Sequence, residues 1–164
     1  MSSNKFITIK LPKDLLDKLC VLIKELEKED PSFKGVSREY LHMTLVFFGE
    51  KLNHLKKPQK DQIQKYLDDL NAKLPEMTYK SPKLIRFPPT KLNLYAIEYT
   101  TKNNPLYQQI KTDLKAYLDG EVYDVWQPHI TLGKTRDLEF KLNKKVDHLE
   151  FKSSKVDIVG IKLN

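Results

Sequence analysis

The sequence predicts an α+β fold, and three features carry that expectation. Several amphipathic stretches have helical spacing. β-rich runs fall between them without the strict alternation of a parallel βαβ chain. The third feature is an internal echo, in which a strand, a helix and a histidine-bearing strand occur once before residue 50 and again between residues 92 and 134. The interval from Ile7 to His42 nearly equals that from Tyr95 to His129, which points to two related lobes, each presenting one histidine strand, within a single domain of residues 1–164. Two copies are too few for a solenoid.

Residues 5–10, KFITIK, alternate as a strand. A helix follows, with Leu15, Leu19, Leu22 and Leu26 on one face, and Pro31 ends it. A loop, PSFKGVSREY, delivers the chain into a strand at 41–48. The second helix runs from about residue 59 with Ile63, Tyr66, Leu67 and Leu70 together, and Pro75 closes it. MTYKSPKLIRF and LNLYAIEYT are strands separated by a turn at Pro88 and Pro89. NNPLYQQIKTDLKAYLDG is a helix with Pro105 near its start, the stripe Leu106, Ile110, Leu114 and Leu118, and Gly120 beyond its end. Strands at 128–134, near 146–152 and at 155–162 complete the expected order.

A chain of 164 residues and 19.3 kDa suffices for one domain with a real core. Hydrophobic residues make up 40% and charged ones 31% of the chain. No apolar run approaches the roughly 20 residues that span a bilayer, so a membrane role is not expected. The opening MSSNKFITIKLPKDLL lacks a basic segment followed by a long apolar one, so a cytoplasmic or nuclear setting is expected. Cys20 is the only cysteine, which excludes an internal disulfide and a thiolate zinc cluster; it reads as a buried thiol on the first helix. A net charge of +7 with pI near 9.3 favours polyanionic partners, although most individual lysines read as solvated helix faces.

Two of the four histidines occur in one repeated phrase: LHMTL holds His42 and Thr44, and PHITL holds His129 and Thr131. On a strand, each phrase puts an imidazole and a hydroxyl on one face and apolar residues on the other. If the lobes face one another, four polar groups meet across a cleft. One neutral histidine would take a proton from an attacking oxygen while the other, protonated, gives one to the leaving oxygen. The threonines would hold non-bridging phosphate oxygens. A lone His-x-Thr is more often a packed pair than a site; two in matching β contexts, each followed by leucine, are not readily explained that way.

LHMTLVFFGE and PHITLGK, with the opening KFITIKLP, resemble the 2H phosphoesterases, and within them the LigT-like RNA 2′,3′-cyclic phosphodiesterases, also called 2′-5′ RNA ligases. The resemblance spans nearly the whole chain. It implies a bilobal fold of two pseudo-symmetric, mainly antiparallel lobes with helices outside and a central cleft. It also implies cleavage of cyclic or 2′-5′ phosphodiesters without metal or other cofactor, with His42 and His129 as the acid–base pair and Thr44 and Thr131 as phosphate binders. The implied partner is RNA, an oligonucleotide or a cyclic nucleotide; a monomer without an obligatory protein partner is expected. LigT-like members often carry an arginine shortly after the second motif, where this chain has Lys134, which keeps the charge but not the bidentate geometry.

Other candidates for substrate contact are Phe47, Arg86, Tyr123 and Trp126. Trp126, just before the second motif, reads equally as a nucleotide platform or a core residue. Simple alternation sets Phe47 on the face opposite His42, favouring core packing, and puts Lys134 opposite His129 unless the strand end twists. His54 and the lysines around it read as a solvated loop, and His148 as a surface or structural residue. The motifs do not choose among a 2′,3′-cyclic phosphodiesterase, a 2′-5′ oligoadenylate or cyclic-oligonucleotide phosphodiesterase, and a 2′-5′ ligase. A nucleotide-binding module without catalysis, or a basic scaffold for acidic partners, would not need both histidines.

Overall fold

Alternation in the first residues builds β1 (Ser3–Ile9) in a computed structural model that describes residues 3–49, 54–86, 93–101, 104–117 and 126–162. Tyr123, the Pro88–Pro89 turn, Leu118 and Gly120 lie outside the described residues. α1 (Lys13–Glu29) buries Leu15, Leu19, Leu22, Ile23 and Leu26, and the Asp30 N–H closes it on the Leu26 carbonyl just before Pro31. Cys20 is half-buried against the core rather than fully enclosed. A two-residue strand that no sequence period announces, β2 (Lys34–Gly35), and a 3-10 turn (Arg38–Tyr40) lead into β3 (Met43–Gly49). α2 (Lys57–Lys73) has Pro58 in its first turn and buries Ile63, Leu67 and Leu70.

β4 (Met77–Arg86) and β5 (Leu94–Thr100) precede α3 (Asn104–Asp113), which tightens into a 3-10 turn at Lys115–Tyr117. β6 (His129–Lys134), β7 (Phe151–Ser153) and β8 (Val156–Lys162) follow. The strand expected near 146–152 is instead a 3-10 turn (Asp147–Leu149) and then the short β7. Val146 and Leu149, both buried, are three residues apart, the interval that superposes side chains on a 3-10 turn rather than along a strand.

The strands lie in the order β7-β4-β5-β6-β3-β1-β8, with β2 also against β6, and all the pairings are antiparallel. The echo in the sequence corresponds to β1–α1–β3 and β5–α3–β6. In each unit the outer strand pairs with the histidine strand. The two histidine strands meet at the centre of the sheet through the pair Met43↔Ile130.

Both histidine strands carry a β-bulge at the same place. Thr8 and Ile7 are consecutive on β1, yet their partners are Thr44 and Val46, leaving Leu45 as the extra residue. Ala96 and Tyr95 are consecutive on β5, with partners Thr131 and Gly133, leaving Leu132 extra. An extra residue reverses side-chain parity beyond it. Leu45 and Val46 are accordingly buried next to each other in sequence, and Phe47 comes out to solvent at 39% exposure.

Two glycines let β2 lie close against α1 on one side and β6 on the other. A Cβ on Gly35 would lie 2.1 Å from Ile23 Cγ2, and one on Gly133 (φ +157°) would lie 2.2 Å from the Lys34 carbonyl oxygen. Nearby, a buried carboxylate ties the end of α1 to the second lobe. Asp30, 1% exposed, accepts hydrogen bonds from the Ser32 N–H (3.1 Å) and hydroxyl (2.8 Å), the Tyr95 hydroxyl (2.6 Å) and the Thr135 hydroxyl. Burial alone would raise its pKa, but the Thr135, Tyr95 and Ser32 hydrogen bonds outweigh that and hold it below the ordinary carboxylate value. A depressed pKa contributes stability that is present above the unfolded-state value of ~3.9 and lost as pH falls through the folded value. Asp30→Ala is expected to cost about 3 kcal/mol at neutral pH, because it strands donors that served a charged acceptor, and to flatten the acid limb of the stability curve below pH ~4. Urea unfolding across pH checks both.

Candidate active site

His42 stands at the head of β3 and His129 opens β6, and each is fixed in the same way. The Nδ1 of His42 bonds the Tyr40 carbonyl at 2.8 Å, and the Nδ1 of His129 bonds the Gln127 carbonyl at 2.9 Å, two residues upstream in both cases. A carbonyl only accepts, so each Nδ1 carries the proton and the chemistry of each ring falls to Nε2. Continuing the Met43↔Ile130 register by one residue each way sets His42 opposite Thr131 and Thr44 opposite His129. Residues opposed across an antiparallel ladder share a face, with Cα atoms ~4.5–5.5 Å apart. On that continuation the four side chains share one face as the corners of a square, with imidazoles on one diagonal and hydroxyls on the other, and all four are half-buried.

Trp126 secures this square from behind. It is buried, stacks on Tyr107 at 6.3 Å, meets Tyr79 edge-on, and donates its indole N–H to the Thr44 carbonyl at 3.0 Å. Its role is therefore to tie the strand of the first motif to the approach to the second, not to offer a face to a nucleotide. Glu98, on β5, is the ladder partner of His129 and shares its face; its carboxylate accepts a hydrogen bond from the Gln127 side chain. Burial lowers the His129 pKa below the ordinary imidazole value. The Gln127 hydrogen bond opposes this, the charge of His42 adds to it, and Glu98 opposes it, leaving the net shift downward. The electrostatic influence of His42 on His129 accords with the diagonal placement.

The bulges correct both parity expectations. The extra residue Leu45 reverses parity beyond it, so Phe47 shares the face of Thr44. Phe47 therefore lies on the histidine face and is exposed, not in the core. Likewise Leu94 and Ala96 share a face on β5, so Lys134 lies with Thr131. Arg86 goes the other way. It pairs with Tyr95, on the face opposite Ala96 and Thr131, sits 5.1 Å over the Tyr95 ring, and donates to the carbonyls of Asp137 (3.1 Å) and Phe140. That placement makes it a brace for the 135–140 loop rather than a substrate contact.

His148 is exposed on its 3-10 turn and His54 is exposed ahead of α2. Among the described residues no group of three or more His, Cys, Asp or Glu is placed to hold a metal ion, and no helix is long and apolar enough to cross a membrane. Sequence reasoning misses Glu98. The available signal is a single acid in the apolar strand LYAIEYT, on the same parity as Ala96.

No family model matches the sequence, and no curated protein does. Solved structures do, and they give the chain the fold of the LigT-like 2H phosphoesterases. TT0787 of Thermus thermophilus superposes with a TM-score of 0.66 at 16% identity over 97% of this chain and 95% of that one. E. coli LigT superposes at 0.62 and 15% identity over 98% and 95%, and the MHV ns2 PDE domain at 0.58 and 18% over 98% and 100%. LigT has also been solved with NADP+, with 3′-AMP, with phosphate and with ATP.

Proposed function

We propose that the protein is a metal-independent 2H phosphodiesterase that opens 2′,3′-cyclic phosphate ends of RNA or oligonucleotides to 2′-phosphates. The observation that carries this reading is that His42 and Thr44 flank Met43, and His129 and Thr131 flank its partner Ile130, on one face of the central β3–β6 seam, with each histidine held through Nδ1 by a backbone carbonyl. A phosphate above it would accept hydrogen bonds from both threonine hydroxyls through its non-bridging oxygens. His129, kept neutral by its surroundings, takes a proton from water at Nε2 as the water oxygen bonds to phosphorus. The P–O3′ bond breaks, and O3′ receives the proton from Nε2 of His42, leaving a 2′-phosphate. Phe47, exposed at one end of the square, supplies a platform for the base. The 3′-AMP complex of LigT, a protein of the same fold, supports a nucleotide in this cleft.

The test is a parallel incubation, in EDTA, with RNA ending in a 2′,3′-cyclic phosphate, 2′-5′ oligoadenylate, a cyclic oligonucleotide, a nicked 2′-5′ ligation substrate and a 3′-5′ control. Preferential opening of the cyclic end is expected; preference for another substrate would reassign the reaction, and binding without turnover would indicate a nucleotide-binding module. The pH dependence carries a further expectation. A base with a depressed pKa stays competent to lower pH than a free imidazole, so the acid limb of kcat/KM should fall below pH ~6.5. A limb above that value would show that His129 is not the base.

A further inference from the structure

We infer that Lys34 and Lys134 form a second phosphate subsite beside the reacting centre, which receives the neighbouring phosphate of an oligonucleotide strand. The inference rests on the phosphodiesterase reading and extends it to the length of the substrate. Lys34 on β2 and Lys134 on β6 are ladder partners, and both are exposed. The bulge at Leu132 turns Lys134 onto the face of Thr131, and a ladder partner shares that face, so Lys34 joins it. On the reverse side Gly35 and Gly133 press against Ile23 and Phe33, which holds the short β2 close to β6 and fixes the two lysines side by side.

Two like charges directly opposed on a sheet destabilise it. Neither lysine has an ion-pair partner among the described residues, whereas Lys144, elsewhere on the surface, is matched by Glu25 and Glu29. A bound anion between the two ammonium groups would remove this repulsion. Ala96 lies beside Thr131 and Leu94 beside Lys134. Two strand residues rise by about 7 Å, comparable to one step between consecutive phosphates of a nucleotide strand. Phe47 lies beyond Thr44 at the other end of the square, so the cleft has a base platform on one side of the reacting phosphate and a cationic pair on the other. A mononucleotide reaches the square alone, and an oligonucleotide reaches the square and the lysines together.

Binding of reaction products tests this without requiring turnover. A trinucleotide ending in a 2′-phosphate and the corresponding 2′-mononucleotide would be titrated against wild type, Lys34→Met and Lys24→Met, the last removing one exposed charge from α1. Wild type is expected to bind the trinucleotide about tenfold more tightly. Lys34→Met should lose most of that advantage, lower the salt-dependence slope by ~0.7 and leave mononucleotide affinity unchanged. Lys24→Met should behave as wild type. No trinucleotide advantage in wild type, an undiminished one in Lys34→Met, or equal weakening of both ligands would overturn the subsite. Failure of wild type to open cyclic phosphates would instead count against the phosphodiesterase reading, because the binding result does not depend on it.

Discussion

Replacing either His42 or His129 with alanine is expected to lower kcat on the cyclic-phosphate substrate by about 10²–10⁴-fold, the usual worth of a positioned acid or base. In the proposed reaction the two rings act on one phosphate in the same step, one accepting a proton while the other donates. The double variant should therefore lose little beyond the worse single variant. Both side chains are half-buried, and each holds a local carbonyl through Nδ1, so the fold should survive. Steady-state kinetics beside near-UV circular dichroism separates lost chemistry from lost structure. Additive losses would mean that the two histidines do not serve a common step.

Thr44→Val and Thr131→Val should each reduce kcat by about 10²-fold, by removing one donor aimed at a non-bridging oxygen where charge develops. Valine keeps the β-branched shape that suits a strand, so thermal stability should change little. The pseudo-symmetry of the two motifs makes a further demand: the two losses should be similar, because each threonine follows one histidine by two residues around the Met43↔Ile130 pair. A large loss in one variant and none in the other would indicate a phosphate held to one side, with a single threonine in contact.

Much of this arrangement is legible in the sequence. The helical stripes of α1 and α2 and the repeated His-x-Thr phrases follow from periodicity, which local sequence encodes directly. What alternation cannot supply is the pair of bulges at Leu45 and Leu132, because a bulge is defined by the partner strand, not by its own residues. Those bulges alone move Phe47 and Lys134 to the face of the two His-x-Thr motifs. β2 escapes notice because two residues carry no period, and its place depends on Gly35 and Gly133, far apart in the chain, meeting in space. Trp126 and Arg86 carry the chemistry of nucleotide contact, but burial in one case and ladder parity in the other assign them to the framework.

The most direct test of the two-histidine mechanism is phosphorus NMR of RNA ending in a 2′,3′-cyclic phosphate, incubated with wild-type protein in EDTA. Conversion of the cyclic resonance to that of a 2′-phosphomonoester, absent with the His42→Ala and His129→Ala variants, is the expected result. A cyclic resonance that persists with folded wild-type protein, or conversion that survives loss of either histidine, would contradict it.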